Sequence, residues 1–242
     1  MNKKITKQTV LVTGAAKRLG QAIVLYLADK GFNIALHYNQ SKAEALKTAK
    51  QIYDKGGRCE LFSCDLADSR QTQGLITEVY KAFPSLNLLI NSASLFMPNT
   101  FGAVDLNLFE AHWNVNFRAP YILSCEFARL VKKGQIINFI DTNVVKYNSR
   151  YADYLLTKKT LAEFTKMAAV SWGPKIRVNG IAPGMILPPV NAQKDDRKLR
   201  AKKIPLQRVG DSQSIINTLD FLLKNTYLTG QIIAVDGGEQ LV

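Results

Sequence analysis

Short apolar runs alternate with longer amphipathic stretches from one end of the chain to the other. Strand-like runs over 10–13, 33–38 and 59–63 are each followed by helical periodicity, over 21–29, 43–55 and 72–82. Further runs at 88–91, 135–140, 177–181 and 231–235 continue the pattern, separated by helical or loop segments. A strand that is apolar at nearly every position is buried on both faces, and strand–helix–strand repetition puts such strands in a parallel sheet with helices on either side. The expectation is a single α/β domain over 1–242, a doubly wound Rossmann sheet of about seven strands with ligands at the strands' carboxyl ends. Gly56-Gly57 and Gly237-Gly238 read as turns, and no linker, repeat or low-complexity tract divides the chain.

Composition agrees with one domain. With 242 residues, 47% of them hydrophobic, the chain can bury a large core without disulfides. Cys59, Cys64 and Cys125 match no metal knuckle or redox pair and read as buried thiols of a reducing compartment. Neither His37 nor His112 has ligand spacing, so no metal is expected. After residues 1–9 the apolar run is too short for a signal-peptide core or a membrane span, which reads as a cytoplasmic protein with no membrane partner.

The 32 Lys and Arg against 19 Asp and Glu leave a net charge of +13, which suits an anionic ligand of some kind. The dense basic run of Lys194, Arg197, Lys198, Arg200, Lys202 and Lys203 has no interleaved aromatic residue. It reads as a solvated face or an anion-attracting rim, and no nucleic-acid partner is assigned.

The first strand runs into Thr13-Gly14-Ala15-Ala16-Lys17-Arg18-Leu19-Gly20, and a helix follows at once. Gly14 and Gly20 let the backbone approach a pyrophosphate, which the amides and dipole of that helix favour. Chains that bind NAD carry an acidic residue at the end of the second strand for the ribose hydroxyls. Here that stretch is His37-Tyr38-Asn39-Gln40-Ser41, without a carboxylate, and Lys17 and Arg18 suit a 2′-phosphate. NADP(H) is therefore expected over NAD.

A tyrosine followed four residues later by lysine places an ammonium beside a phenol and is expected to lower the phenol's pKa. That spacing occurs at Tyr26/Lys30, Tyr38/Lys42 and Tyr154/Lys158. Tyr26 lies in the helix after the phosphate loop and Tyr38 on the adenosine side. Tyr154 follows the 135–140 strand, near the expected nicotinamide end, and is taken with Lys158 as the functional pair.

From the Thr13–Gly20 loop to Thr229-Gly230-Gln231 and Val235-Asp236-Gly237-Gly238, the chain resembles the short-chain dehydrogenase/reductase family. The resemblance implies that Asn91-Ser92-Ala93-Ser94 stands for the family's Asn-Asn-Ala-Gly segment, with serines at its second and fourth positions. It implies that Asn116 anchors a proton-relay water, that Asp65, followed by Leu66, contacts the adenine, and that Pro183-Gly184 turns beside the nicotinamide. It also implies a homotetramer.

One departure narrows the reading. Thirteen residues before Tyr154, where the family has serine, this chain has Asp141. A carboxylate sits badly against a developing alkoxide but can relay a proton toward a ring nitrogen. Asp141, Arg18 and the 37–41 turn together resemble pteridine reductases and bacterial dihydromonapterin reductases. That likeness implies Phe96 stacking a pterin against the nicotinamide and Ser94 touching both pterin and cofactor.

The expected catalytic residues are therefore Asp141, Tyr154, Lys158 and Asn116. Cofactor contacts are expected from Gly14, Lys17, Arg18, Leu19, Gly20, His37, Tyr38, Asn39, Ser41, Asp65, Leu66, Asn91, Ser92, Ala93, Lys158, Pro183 and Gly184. Substrate contacts are expected from Arg18, Ser94, Phe96, Asp141 and Tyr154, with Met185 and Leu187 from a substrate loop over 185–204. The expected activity is NADPH-dependent reduction of a pterin or folate-type ring imine. Two alternatives stand beside it: a ketone reductase such as a 3-oxoacyl-carrier-protein reductase, against which Asp141 argues, and a non-catalytic Rossmann binding protein.

Overall fold

The computed structural model describes residues 7–102, 104–147, 149–186 and 201–242. Its strands are β1 (Thr9–Val12), β2 (Asn33–Tyr38), β3 (Cys59–Ser63), β4 (Leu86–Asn91), β5 (Gly134–Phe139), β6 (Ile176–Pro183) and β7 (Ile232–Val235). They form one parallel sheet in the order β3-β2-β1-β4-β5-β6-β7. The helices are α1 (Arg18–Asp29), α2 (Lys42–Asp54), α3 (Ser69–Ala82), α4 (Leu106–Trp113), α5 (Ala119–Leu130), α6 (Ala152–Trp172) and α7 (Ser212–Lys224).

The unbroken apolar runs serve two cores at once, because successive side chains of a strand point to opposite faces. Val10, Val12, Ile34, Leu36, Leu88, Ile90, Ile137 and Phe139 pack with Ile23, Val24 and Leu27 of α1, Ile52 of α2 and Leu219 of α7. Their neighbours Leu11, Ala35, Leu89 and Ile136 face the other way, against Leu75, Ile76 and Val79 of α3 and Leu123 and Phe127 of α5. Each fully buried Leu or Ile is worth ~1.5–3 kcal/mol relative to exposure. A polar residue in these runs would therefore cost more than any local propensity could restore.

Asp68, Asp105 and Asp211 cap α3, α4 and α7 with their carboxylates, each worth ~1 kcal/mol. The first three strands match the hydrophobic pattern closely, whereas β4 begins two residues earlier than the apolar run suggests. Between α4 and α5 the chain makes a π-helical turn, Asn114–Arg118, in which Ala119 N–H bonds to the Asn114 carbonyl.

The strand order reverses direction between β1 and β4. Their connections leave on opposite faces, so a crevice opens beyond the carboxyl ends of both strands. Thr13 joins its lips: its hydroxyl accepts from Ser92 N and Ala93 N, both at 3.0 Å.

Candidate active site

Gly14 adopts φ 65°, and a Cβ there would lie 3.0 Å from the Ala93 Cα. At Gly20 a Cβ would collide with the Gly14 carbonyl oxygen and lie 2.9 Å from the Ala15 Cα. Glycine inside a helix costs ~0.5–1 kcal/mol relative to alanine; here the collision outweighs that cost. The result is a backbone cradle at the N-terminus of α1, where no carboxylate stands in the first turn and Lys17 makes no side-chain cap. Arg18 sits in the left-handed region at φ 56°. For a residue with a Cβ this costs ~1–2 kcal/mol, and such strain concentrates at ligand sites.

The cradle opens into a cleft of about 450 Å³. Gly14, Lys17, Arg18, Leu19 and Gly20 form one wall, Tyr38, Asn39, Gln40, Ser41, Asp65 and Leu66 the far end, and Ser92, Ala93, Ser94, Tyr154 and Lys158 the near end. Asn39 donates to the Asp65 carboxylate at 3.2 Å, and Ser41 begins α2 without spending its hydroxyl on a cap. An elongated, glycine-floored cleft with cations near its floor and no carboxylate at the 37–41 turn fits a phosphorylated dinucleotide.

His37 lines the cleft and also braces its floor. Its ring is buried: Nδ1 accepts from Gly14 N at 3.1 Å, and Nε2 lies 3.0 Å from the Cys64 carbonyl oxygen. An accepting Nδ1 leaves the proton on Nε2, so the neutral imidazole ties the loop after β1 to the end of β3. Burial lowers its pKa to about 4, against smaller opposing effects of the Cys64 bond and Asp65.

At the near end Tyr154 and Lys158 project from α6 toward the end of β5. The Tyr154 hydroxyl donates to Asp141 Oδ2 at 2.8 Å. The other oxygen, Oδ1, accepts from Asn143 N at 2.7 Å and Asn143 Nδ2 at 2.8 Å, so the carboxylate also caps the turn that follows it. Lys158 is buried and donates to the Phe139 carbonyl at 2.7 Å. Burial lowers its pKa to about 8, partly opposed by Asp141.

An acidified phenol is the expectation that fails here. Burial, then the charge of Asp141 and the hydrogen bond to it, raise Tyr154 well above its ordinary value. The ammonium four residues on is turned to a carbonyl, while the carboxylate is in direct contact. The decoy pair Tyr26/Lys30 is structural, since the Tyr26 hydroxyl donates to Asp220 of α7.

Asn116 turns its side chain to the loop that follows β4. Its Oδ1 accepts from Leu95 N at 2.7 Å and the Ser94 hydroxyl at 3.2 Å, and its Nδ2 donates to the Leu95 carbonyl at 2.9 Å. Phe96 follows this clamp, 52% exposed, stacked on Tyr151 with ring centroids 4.4 Å apart and edge-on to Tyr154 at 4.7 Å. Tyr151, which sequence reasoning passed over, thus backs the ring expected to meet substrate.

Other expected contacts are displaced. Asn91 points inward, donating to Ser124 and Asn138 behind the cleft. Pro183 ends β6, and Gly184 packs against Asp236 and Glu239 of the C-terminal turn. Met185, whose N–H bonds to the Glu239 carboxylate, lines a second cavity of about 550 Å³ with Ile186, Leu206 and Arg208. Leu187 and most of the basic run lie outside the described residues. Among the described residues no helix is long and apolar enough to cross a membrane, and no cluster of three or more His, Cys, Asp or Glu could hold a metal.

Residues 14–240 match the family described as enoyl-(acyl carrier protein) reductase. A 3-oxoacyl-[acyl-carrier-protein] reductase of Staphylococcus aureus is 33% identical over 249 residues, covering 97% of this chain and 98% of that protein. Among solved structures, the FolM alternative dihydrofolate reductase 1 of Brucella suis in complex with NADP superposes with a TM-score of 0.90 at 36% identity, over 97% of this chain and 96% of that one. A blue fluorescent protein from a metagenomic library, in complex with NADPH, superposes with a TM-score of 0.89 at 27% identity, over 96% of this chain and 97% of that one.

Proposed function

Because the chain belongs to the short-chain dehydrogenase/reductase family, we propose that it is an NADPH-dependent reductase of pterins, taking a dihydropterin or dihydrofolate-type ring imine to its tetrahydro form. The observation that carries this reading is the Tyr154 hydroxyl bonded to the Asp141 carboxylate at the near end of the cleft, beside the exposed ring of Phe96. The likeness to the Brucella alternative dihydrofolate reductase supports it.

The glycine cradle fits the pyrophosphate, and Lys17, Arg18, Asn39 and Ser41 suit the 2′-phosphate of NADP. When bound, NADPH supplies the hydride. Tyr154 supplies the proton to the ring nitrogen next to the reduced carbon. Its raised pKa keeps the phenol protonated at neutral pH, as an acid requires. Losing that proton beside the Asp141 carboxylate would put two negative charges in contact, so the phenolate is short-lived and takes its proton back from solvent at the mouth of the cleft, with Asp141 accepting the restored O–H. Lys158 holds positive charge on the same side. Phe96 orients the flat ring, and orientation of this kind can account for several kcal/mol of a barrier.

A ketone reductase remains the second reading, favoured by the Staphylococcus relative. NADPH oxidation measured with dihydrobiopterin, dihydromonapterin, dihydrofolate and acetoacetyl thioesters decides between them. Turnover of a dihydropterin or dihydrofolate with little on thioesters is expected. Thioester turnover alone selects the ketone reductase, no turnover selects a binding protein, and equal efficiency with NADH rejects the cofactor assignment.

A further inference from the structure

The ring of Phe96 is too exposed to hold itself in place by burial, and so is Met97 next to it. Three polar contacts hold their loop instead. Asn116 grips Leu95 on one side. In the middle, buried His112 accepts from Met97 N through Nε2 at 3.3 Å. On the far side Asn99 is joined to the start of α6 by both backbone and side chain. Asn99 N donates to the Arg150 carbonyl at 3.2 Å, and Ala152 N donates to the Asn99 carbonyl at 3.4 Å. The Asn99 side-chain oxygen accepts from Asp153 N at 3.1 Å, while its amide donates to the Asp153 carboxylate. Asp153, only 7% exposed, immediately precedes Tyr154.

We propose that Asn99 and Asp153 are positioning residues whose reciprocal hydrogen bonds latch the Phe96 loop to the first turn of α6, fixing the stacking ring relative to the acid Tyr154 and so favouring flat, aromatic substrates. The inference rests on the reading of Phe96 as the stacking face. The physical case is one of scale. A stacked aromatic pair is worth ~0.5–1.5 kcal/mol, and only when ring spacing and tilt are held. An exposed loop without anchors spends that gain on its own ordering. A part-buried pair at the loop's end, with the buried Asp153 carboxylate as acceptor, removes the penalty before substrate arrives. Tyr151, stacked behind Phe96 with an interplanar angle of 16°, makes the platform two rings thick. Because Tyr151, Asp153 and Tyr154 share one helical start, platform and acid move as a unit.

The test uses the full chain with Asn99→Ala, with Asn99→Asp, and with Asn99→Asp combined with Asp153→Asn. Asn99→Asp sets its new carboxylate against that of Asp153 and opens the latch; the double exchange restores an amide–carboxylate pair in reverse. Hydrogen exchange at residues 95–99, the NADPH dissociation constant, and KM and kcat for a dihydropterin are measured together. The expected result is faster exchange confined to that loop in both single variants, with KM for the dihydropterin raised about tenfold and NADPH affinity unchanged. The double variant should return exchange and KM to the original values. Unchanged exchange, faster exchange with unchanged KM, or no rescue by the double variant each overturns the latch. If the unmodified chain turns over no pterin, the functional reading falls alone, and exchange with its rescue still decides whether the latch exists.

Discussion

At the residue scale, Asp141 acts on two titrating neighbours at once. It accepts the Tyr154 hydroxyl, raises that phenol's pKa and opposes the loss of charge at buried Lys158. With the tyrosine held protonated, the first group to titrate on the alkaline side is Lys158, at about 8. The alkaline limb of kcat/KM should therefore fall near pH 8. Asp141→Asn should move that limb toward acid, because removing the carboxylate takes away the influence that holds Lys158 up. A limb that stays put or moves alkaline would reject this account.

His37 gives a prediction about folding. In the unfolded chain the imidazole takes up a proton near 6.5, in the folded chain only near 4. Between those values the unfolded state binds more protons, so stability present above pH 6.5 is lost as the pH falls toward 4, by at most about 3 kcal/mol. Urea midpoints measured at pH 7 and 4.5 should fall less steeply in His37→Gln than in the original chain, from a lower neutral value. Parallel slopes would sink the idea. Sequence context and the family resemblance could point to Tyr154, Lys158 and Asp141, but not to this bridge. What reveals it is the carbonyl of Cys64, just past β3, and a glycine amide converging on one ring, 27 and 23 positions away.

Among the elements, the junction of β1, its loop and α1 carries the clearest consequence. Gly20→Ala adds one methyl directly against the Gly14 carbonyl. NADPH binding, followed by titration of cofactor fluorescence, should be lost while the sheet remains folded, since the rest of α1 keeps its buried face of Ile23, Val24 and Leu27. Retained affinity would mean the cradle is not where the phosphates lie. The first half of the fold was legible because β1, β2 and β3 are short, apolar and punctuated by polar helices. The stretch from 92 to 134 was not. Phe101, Leu106 and Tyr121 there are apolar yet exposed, so hydrophobic spacing does not report the buried face of α4 or α5. Nor does any residue pattern announce that a helix will lengthen its hydrogen-bond step at Asn114–Arg118. The Asn99–Asp153 pair lies 54 residues apart in sequence and exists only once β4 and α6 are docked.

At the scale of the whole molecule, β7 closes the sheet as an edge strand whose Ile232, Ile233, Ala234 and Val235 are only partly buried, while Met167 and Val170 of α6 are exposed. An apolar edge of this kind invites further pairing unless it is covered. The expected cover is another copy of the chain, in the homotetramer that the family resemblance implies. Light scattering at micromolar concentration should give a mass near four times 26.9 kDa; a monomer would reject it.

The Phe96 loop has a last implication, for anyone who wishes to move substrate preference between members of this family. Transplanting residues 94–99 by themselves would carry the aromatic ring without its fastenings, because those belong to α4, the π-helical turn and α6. The transferable unit is the loop together with Asn116, His112, Tyr151 and Asp153. Directed evolution toward bulkier or non-planar substrates should accordingly accumulate its changes at those fastenings before it replaces the ring.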